Sequence, residues 1–163
     1  MERLRAWYME KNITPDVFAA VFANQPQKPF DFHQRLLAVQ KFSQLPQANA
    51  LAAANKRVSK LLMKEQQLQI QQELQINLFD NHYERALASQ LKTLQQQLQP
   101  LFTKNDYQAI LTTLAELREP VDAFFDNVMV MVEDEKIRNN RLALLNQLRQ
   151  LFLQVADISL LQS

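Results

Sequence analysis

The chain has 163 residues, of which 47% are apolar and 21% charged, with a formal net charge of +1; this suits one domain, residues 1–163, with an ordinary globular core. It contains no glycine and no cysteine, which excludes Gly-rich phosphate loops, dinucleotide fingerprints, thiolate metal sites, disulfides and a cysteine nucleophile. The near-zero charge supplies no whole-molecule field, so a polyanion contact has to come from a local patch.

Almost every segment reads with a helical period. A short helix is predicted from Arg3 to Lys11. Thr14 then caps a helix that has Pro15 at its first position and carries Val17, Phe18, Val21 and Phe22. A third helix starts near Asp31 and carries Leu36, Val39 and Phe42. Pro46 ends it and opens a fourth, from Gln47 to about Lys64. The Gln-rich stretch from Gln66 to Leu78 alternates Leu and Ile at even spacing, which fits an extended segment, while Gln and Leu are good helix formers. It is read as a helix tail and a loop. Tyr83, Leu87, Leu91, Leu94, Leu98 and Leu101 form one stripe of a long helix, with Pro100 in or just before its last turn. Asp106 caps the next helix, which buries Tyr107, Ile110, Leu111 and Leu114. Pro120 starts another, through Met131. Glu133, Asp134 and Glu135 place negative charge at the start of the last long helix, where the helix dipole favours it. Asp157 caps a final short turn. Without glycine, Asn has to serve at positive-φ positions, and β-rich folds are disfavoured. The fold class is all-α, a helical bundle.

Two places carry candidate chemistry. On the fourth helix, Leu51, Ala54, Val58, Leu61 and Leu62 share one face, while Lys56, Lys60 and Lys64 repeat four apart on the other, with Arg57 beside them. Like charges at that spacing repel by a few tenths of a kcal/mol per pair (about 0.2–0.5). The stripe is either a solvated face or a phosphate-binding one. Asn55, at the edge of the apolar face, is either an interhelix hydrogen-bonding residue or a base-edge reader. On the last helix, Ile137, Leu144, Leu148, Leu151 and Val155 define the buried stripe. Arg138 and Arg149 are predicted to face solvent, and Arg141 falls inside the apolar arc. A buried guanidinium needs a carboxylate, for which Asp122, Asp126 and Asp134 are the candidates. Arg141 then serves as a core ion pair, while Arg138 and Asn139, beside Phe125, line an RNA-facing groove. Phe124 and Phe125 are core residues or a stacking platform, and Met129 and Met131 read as core filler. His33 and His82 are far apart and have no metal-ligand company. Asp122 and Asp126 lack a third ligand, so neither a metal site nor a catalytic residue is expected.

The run Asn55-Lys56-Arg57-Val58, between Leu51 and the Leu61-Leu62 pair, resembles a helix of the DALR-type anticodon-binding domain. Pro120 to Val130, Glu133-Asp134, Arg138, Asn140 to Leu145 and Val155 to Ser159 are similar to the C-terminus of the bacterial glycyl-tRNA synthetase β-subunit family, and the stretches from Arg3 to Tyr8 and Thr14 to Val17 resemble the start of that region. The resemblance implies a C-terminal part of a longer β subunit that holds the anticodon stem-loop of glycine tRNA. Glycine activation and transfer would belong to the α subunit of an α2β2 enzyme. ATP would be used by the whole enzyme, with no cofactor in this domain, a cytoplasmic location and no membrane contact. The site it implies uses Lys56, Arg57 and Lys60, with Arg35, for the RNA backbone. Asn55, Phe125, Arg138 and Asn139 would contact bases, framed by Asp126 and Arg141. The rival reading is a helical protein-interaction module that docks a partner subunit without touching RNA.

Overall fold

The computed structural model describes residues 7, 13–23, 28–64 and 74–161. Seven α-helices follow one another among these residues: α1 Pro15–Phe22, α2 Pro29–Ser43, α3 Ala48–Lys64, α4 His82–Thr103, α5 Tyr107–Leu114, α6 Arg118–Asn127 and α7 Glu135–Leu153. Short 3-10 turns cover Ile76–Leu78, Ala115–Leu117 and Ile158–Leu160. The regular elements among the described residues are all helical, as the glycine-free, 3.6-periodic sequence predicts. Of the predicted first helix only Trp7 is described, and it is helical. Of the Gln66–Leu78 stretch, residues 66–73 lie outside the described residues.

The helix boundaries follow local chemistry. Pro15 and Pro29 occupy first-turn positions of α1 and α2, where a missing N–H costs no helical bond. Thr14 sits at the cap of α1 as predicted, but its side chain makes no capping bond there. Asp106 caps as predicted, accepting from the Ala109 N–H, and Asp134, expected only to add negative charge at the start of α7, also caps it by accepting from the Lys136 and Ile137 N–H groups. Asn81 opens α4 with a reciprocal pair. Its side chain accepts from the Glu84 N–H, and its side-chain amide donates to the Glu84 carboxylate at 2.9 Å, a reciprocal cap made from the side chain instead of the backbone N–H of a capping box. Between α4 and α5 the backbone turns at Asn105, with φ 55°. The Asp106 N–H reaches back to the Leu101 carbonyl at 3.0 Å, closing a Schellman-type end. Asn105→Ala should lower stability by about 1 kcal/mol, because Ala keeps the Cβ that crowds the left-handed conformation but loses the short polar side chain that lets Asn adopt it. Asn105→Gly should leave it within a few tenths. Urea midpoints of the two variants check this, and equal loss in both would show that the turn conformation is not the cause.

The core is built from one apolar face per helix. In α4, Leu87, Leu91, Leu94 and Leu98 are fully buried, each contributing on the order of 2 kcal/mol. This face packs on α5, α6 and α7. α2 packs on α1 and α5 through Phe32, Leu36, Val39 and Phe42, and α3 packs on α6, α7 and the last 3-10 turn. Ala48, Ala52 and Ala54 are buried on α3; side chains this small allow a close approach. Asp157 caps the last turn, and its backbone N–H donates to the Ala20 carbonyl, tying the end of the fold to α1.

Three predictions are corrected here. The helix containing Pro120 begins two residues earlier, at Arg118, and ends at Asn127 rather than Met131. Val128, Met129, Val130, Met131 and Val132 then run without helical structure. Val128 and Val130 are buried while Met129 is 71% and Met131 41% exposed. Alternating β-branched residues fit this two-residue period better than a helical one, so the methionines are not core filler. Arg149 does not face open solvent: its fork meets both carboxylate oxygens of Asp157 at 3.2 Å.

Candidate nucleic-acid interface

The long α3 helix sets out the basic residues. Its inner face holds Leu51, Ala54, Asn55 and Val58, and 3.6 residues per turn then sends Lys56, Arg57, Lys60 and Lys64 to the outer face, where all four are exposed. None of these four holds an ion pair with a carboxylate among the described residues. The stripe is therefore an unneutralised row of positive charge.

Phe125 of α6 meets this row from the side. The Arg57 guanidinium lies 4.5 Å from the centre of the Phe125 ring, a cation–π contact. Phe125 is half-buried and held edge-on by the fully buried Phe124, with ring centres 5.6 Å apart and planes at 83°. Phe124 thus belongs to the core and Phe125 to its margin. A basic helix and an anchored aromatic adjoin, bridged by a planar cation. Such a surface can pair with phosphate through the lysines and offers π-faces to an unstacked base.

Other candidates are tied into the packing. Asn55 is 1% exposed, and its amide donates to the Leu51 carbonyl at 2.9 Å, so it occupies the interior of the α3 contact. Arg138 is half-buried and donates to the Val132 carbonyl at 3.2 Å, closing the α6–α7 connection on itself. Asn139 is half-buried, with its carbonyl oxygen enclosed. Arg35 is a strut. It donates to Asp31 at 2.7 Å and to the carbonyls of Gln154 and Val155 at the end of α7, and it lies over the Tyr107 ring. Those contacts occupy its guanidinium.

Arg141 is buried as predicted, but its carboxylates are not Asp122, Asp126 or Asp134. It pairs with Asp80 at 2.9 Å and with the fully buried Glu84 at 3.1 Å, and it also donates to the Met129 carbonyl. Asp126 is exposed on the outer face of α6, because Val121 and Phe124 take the inner one. Asp122 meets Arg118 at 3.6 Å on the surface. Hydrogen bonding with Glu84 and the Arg141 guanidinium hold Asp80 below the usual carboxylate range against a smaller effect of burial. Burial pushes Glu84 upward, with Arg141 pulling partly back. Nearby, Asn140 receives the Gln75 N–H at 2.8 Å and donates to the Gln75 carbonyl at 3.0 Å. Together Asn140 and Arg141 fasten the start of α4 and the chain before it, and Arg141 also holds the extended Val128–Val132 link that follows Phe125.

Residues 51–159, about two thirds of the chain, match the DALR anticodon binding domain family. The chain is also similar to proteins named glycine--tRNA ligase beta subunit. It is 53% identical to the one from Coxiella burnetii over 161 residues, covering 99% of this chain and 23% of that protein. It is 52% identical to the one from Marinobacter nauticus over 161 residues, again 99% of this chain and 23% of the relative. It is 51% identical to the one from Aliivibrio fischeri over 160 residues, 98% of this chain and 23% of the relative. The chain thus spans about a quarter of the length of the curated relatives it matches.

Proposed function

The chain belongs to the DALR anticodon binding domain family, and from that premise we propose that it holds the anticodon stem-loop of glycine tRNA for a glycine–tRNA ligase β subunit. In this reading Lys56, Lys60 and Lys64 take successive phosphates and set the register of the RNA, while contacts to bases give the choice of sequence. Arg57 and Phe125 form a two-layer platform on which an unpaired base of the loop stacks. Asn55 supports that platform from within the helix contact. Arg138 holds the α6–α7 link through the Val132 carbonyl, and Asn139 lies half-buried next to it. The domain performs no chemistry and needs no cofactor. Glycylation, with its use of ATP, falls to the α subunit of the assembled cytoplasmic enzyme, towards which this domain presents the tRNA.

The observation that supports this reading best is the unneutralised α3 stripe abutting an anchored aromatic through Arg57. Fluorescence titration with an isolated glycine-tRNA anticodon stem-loop tests it. Phe125→Ala should weaken binding on the order of tenfold, the loss of one base–aromatic stack, and Phe125→Trp should retain it. A domain that ignores the stem-loop yet still joins a partner subunit would be the interaction module instead.

A further inference from the structure

A second surface has the ingredients of RNA contact without belonging to the α3 site. The start of α2 and the α4–α5 turn enclose a cleft of about 640 Å³ lined by Lys28, Phe30, Asp31, Lys104 and Tyr107, within the range of about 300–1,000 Å³ typical of small-ligand sites. Phe30 is 74% exposed at the cleft, an aromatic with its faces open to solvent. Lys28 and Lys104 are exposed and hold no ion pair among the described residues.

The acid in the cleft is already matched. Asp31 accepts from the Arg35 guanidinium at 2.7 Å and from the Tyr107 hydroxyl, and Asp106, next to the turn, is engaged as the cap of α5. Lys28 also acts on Asp31 from across the cleft, and the exposed Asp106 cap keeps its charge, so the cations of the cleft are Lys28 and Lys104 with these two acids near them. Asn105, whose left-handed backbone makes the turn, puts Lys104 on the same cleft as Lys28. The cleft thus brings together an open aromatic and two exposed lysines, the combination by which single-stranded nucleic acid is held without sequence choice.

We infer that this cleft is a second RNA-binding subsite, taking one unpaired nucleotide with its base on Phe30 and its phosphate between Lys28 and Lys104. The inference rests on the reading of the chain as an RNA-binding domain. It adds a contact from the opposite end of α4 to the one where Glu84 and Arg141 sit. An RNA bound there gains affinity through stacking and counterion release rather than through base-edge recognition.

The test uses a labelled single-stranded oligoadenylate RNA and four variants of the chain, each checked for native helicity by circular dichroism. Phe30→Ala should weaken binding on the order of tenfold, and Phe30→Trp should keep it. Lys28→Ala with Lys104→Ala should lower the slope of log affinity against log salt by about 0.7 per lysine, the single-strand value. Wild-type affinity and slope in Phe30→Ala and in the double lysine variant overturn the subsite, including when those variants lose binding to another protein chain. Lys56→Ala with Lys60→Ala, the fourth variant, separates the two claims. Loss only there leaves the α3 site standing and removes the cleft, whereas loss only in the cleft variants does the reverse.

Discussion

Arg141→Ala should destabilise the fold by about 3–5 kcal/mol, the usual cost of removing one partner from a buried ion pair. Glu84 is 0% exposed and would keep a buried carboxylate with no guanidinium beside it. The Met129 carbonyl would lose its donor as well. Urea denaturation followed by circular dichroism measures this. Two further results identify the cause. Adding Glu84→Gln to Arg141→Ala should recover a large part of the loss, because the uncompensated charge is gone. The single variant should also be relatively more stable in acid. Burial already raises Glu84, and without Arg141 it rises further. Between the ordinary carboxylate value and that raised value the native state holds a proton that the unfolded chain does not, so stability falls as pH rises through this window. A loss below about 1 kcal/mol would show that water reaches the site and that Arg141 does not fasten α4 to α7.

Replacing Lys56 and Lys60 with Ala should weaken binding of glycine tRNA and lower the slope of log affinity against log salt by about 1 for each lysine. The two side chains are exposed and carry no ion pair among the described residues, so their removal costs the fold little. It even relieves repulsion of about 0.2–0.5 kcal/mol per like-charged pair. Stability held or slightly raised together with lost affinity is the signature of a charge row kept for a partner. Discrimination between matched and mismatched anticodons should change little, since phosphate contacts carry register rather than sequence. Filter binding across a salt series measures the slope. An unchanged slope would return the stripe to a merely solvated face.

What could be read from the sequence follows the distance over which each signal acts. The α4 stripe from Leu87 to Leu98, the cap at Asp106 and the acidic start of α7 are local, each set within one or two helical turns, and each is found where predicted. The outward row on α3 is equally local. Arg141 shows the limit. Its burial follows from its place in the apolar arc, but its partners lie 61 and 57 residues away, and no periodicity connects them. Candidates close in sequence, such as Asp126, are excluded only by the packing of α6. The sequence around Arg35 gives no sign of its contacts with the end of α7, 119 and 120 residues distant. Val128 to Val132 is a different case, because its alternation was present in the sequence but was outweighed by the helical pattern on either side. The reciprocal Asn81–Glu84 cap is legible in the three-residue spacing of the two. The contact of Arg57 with Phe125 was not, because it depends on α3 and α6 packing side by side across the residues between them.

A photo-crosslink tests the central claim most directly. A glycine-tRNA anticodon stem-loop carrying a photoreactive nucleotide in its loop is irradiated with the chain, and the joined peptides are mapped by mass spectrometry. The account predicts crosslinks on the α3 peptide that carries Arg57 and on the α6 peptide that carries Phe125, both competed away by unlabelled stem-loop. Crosslinks that bypass both peptides, or that persist under competition, would contradict it.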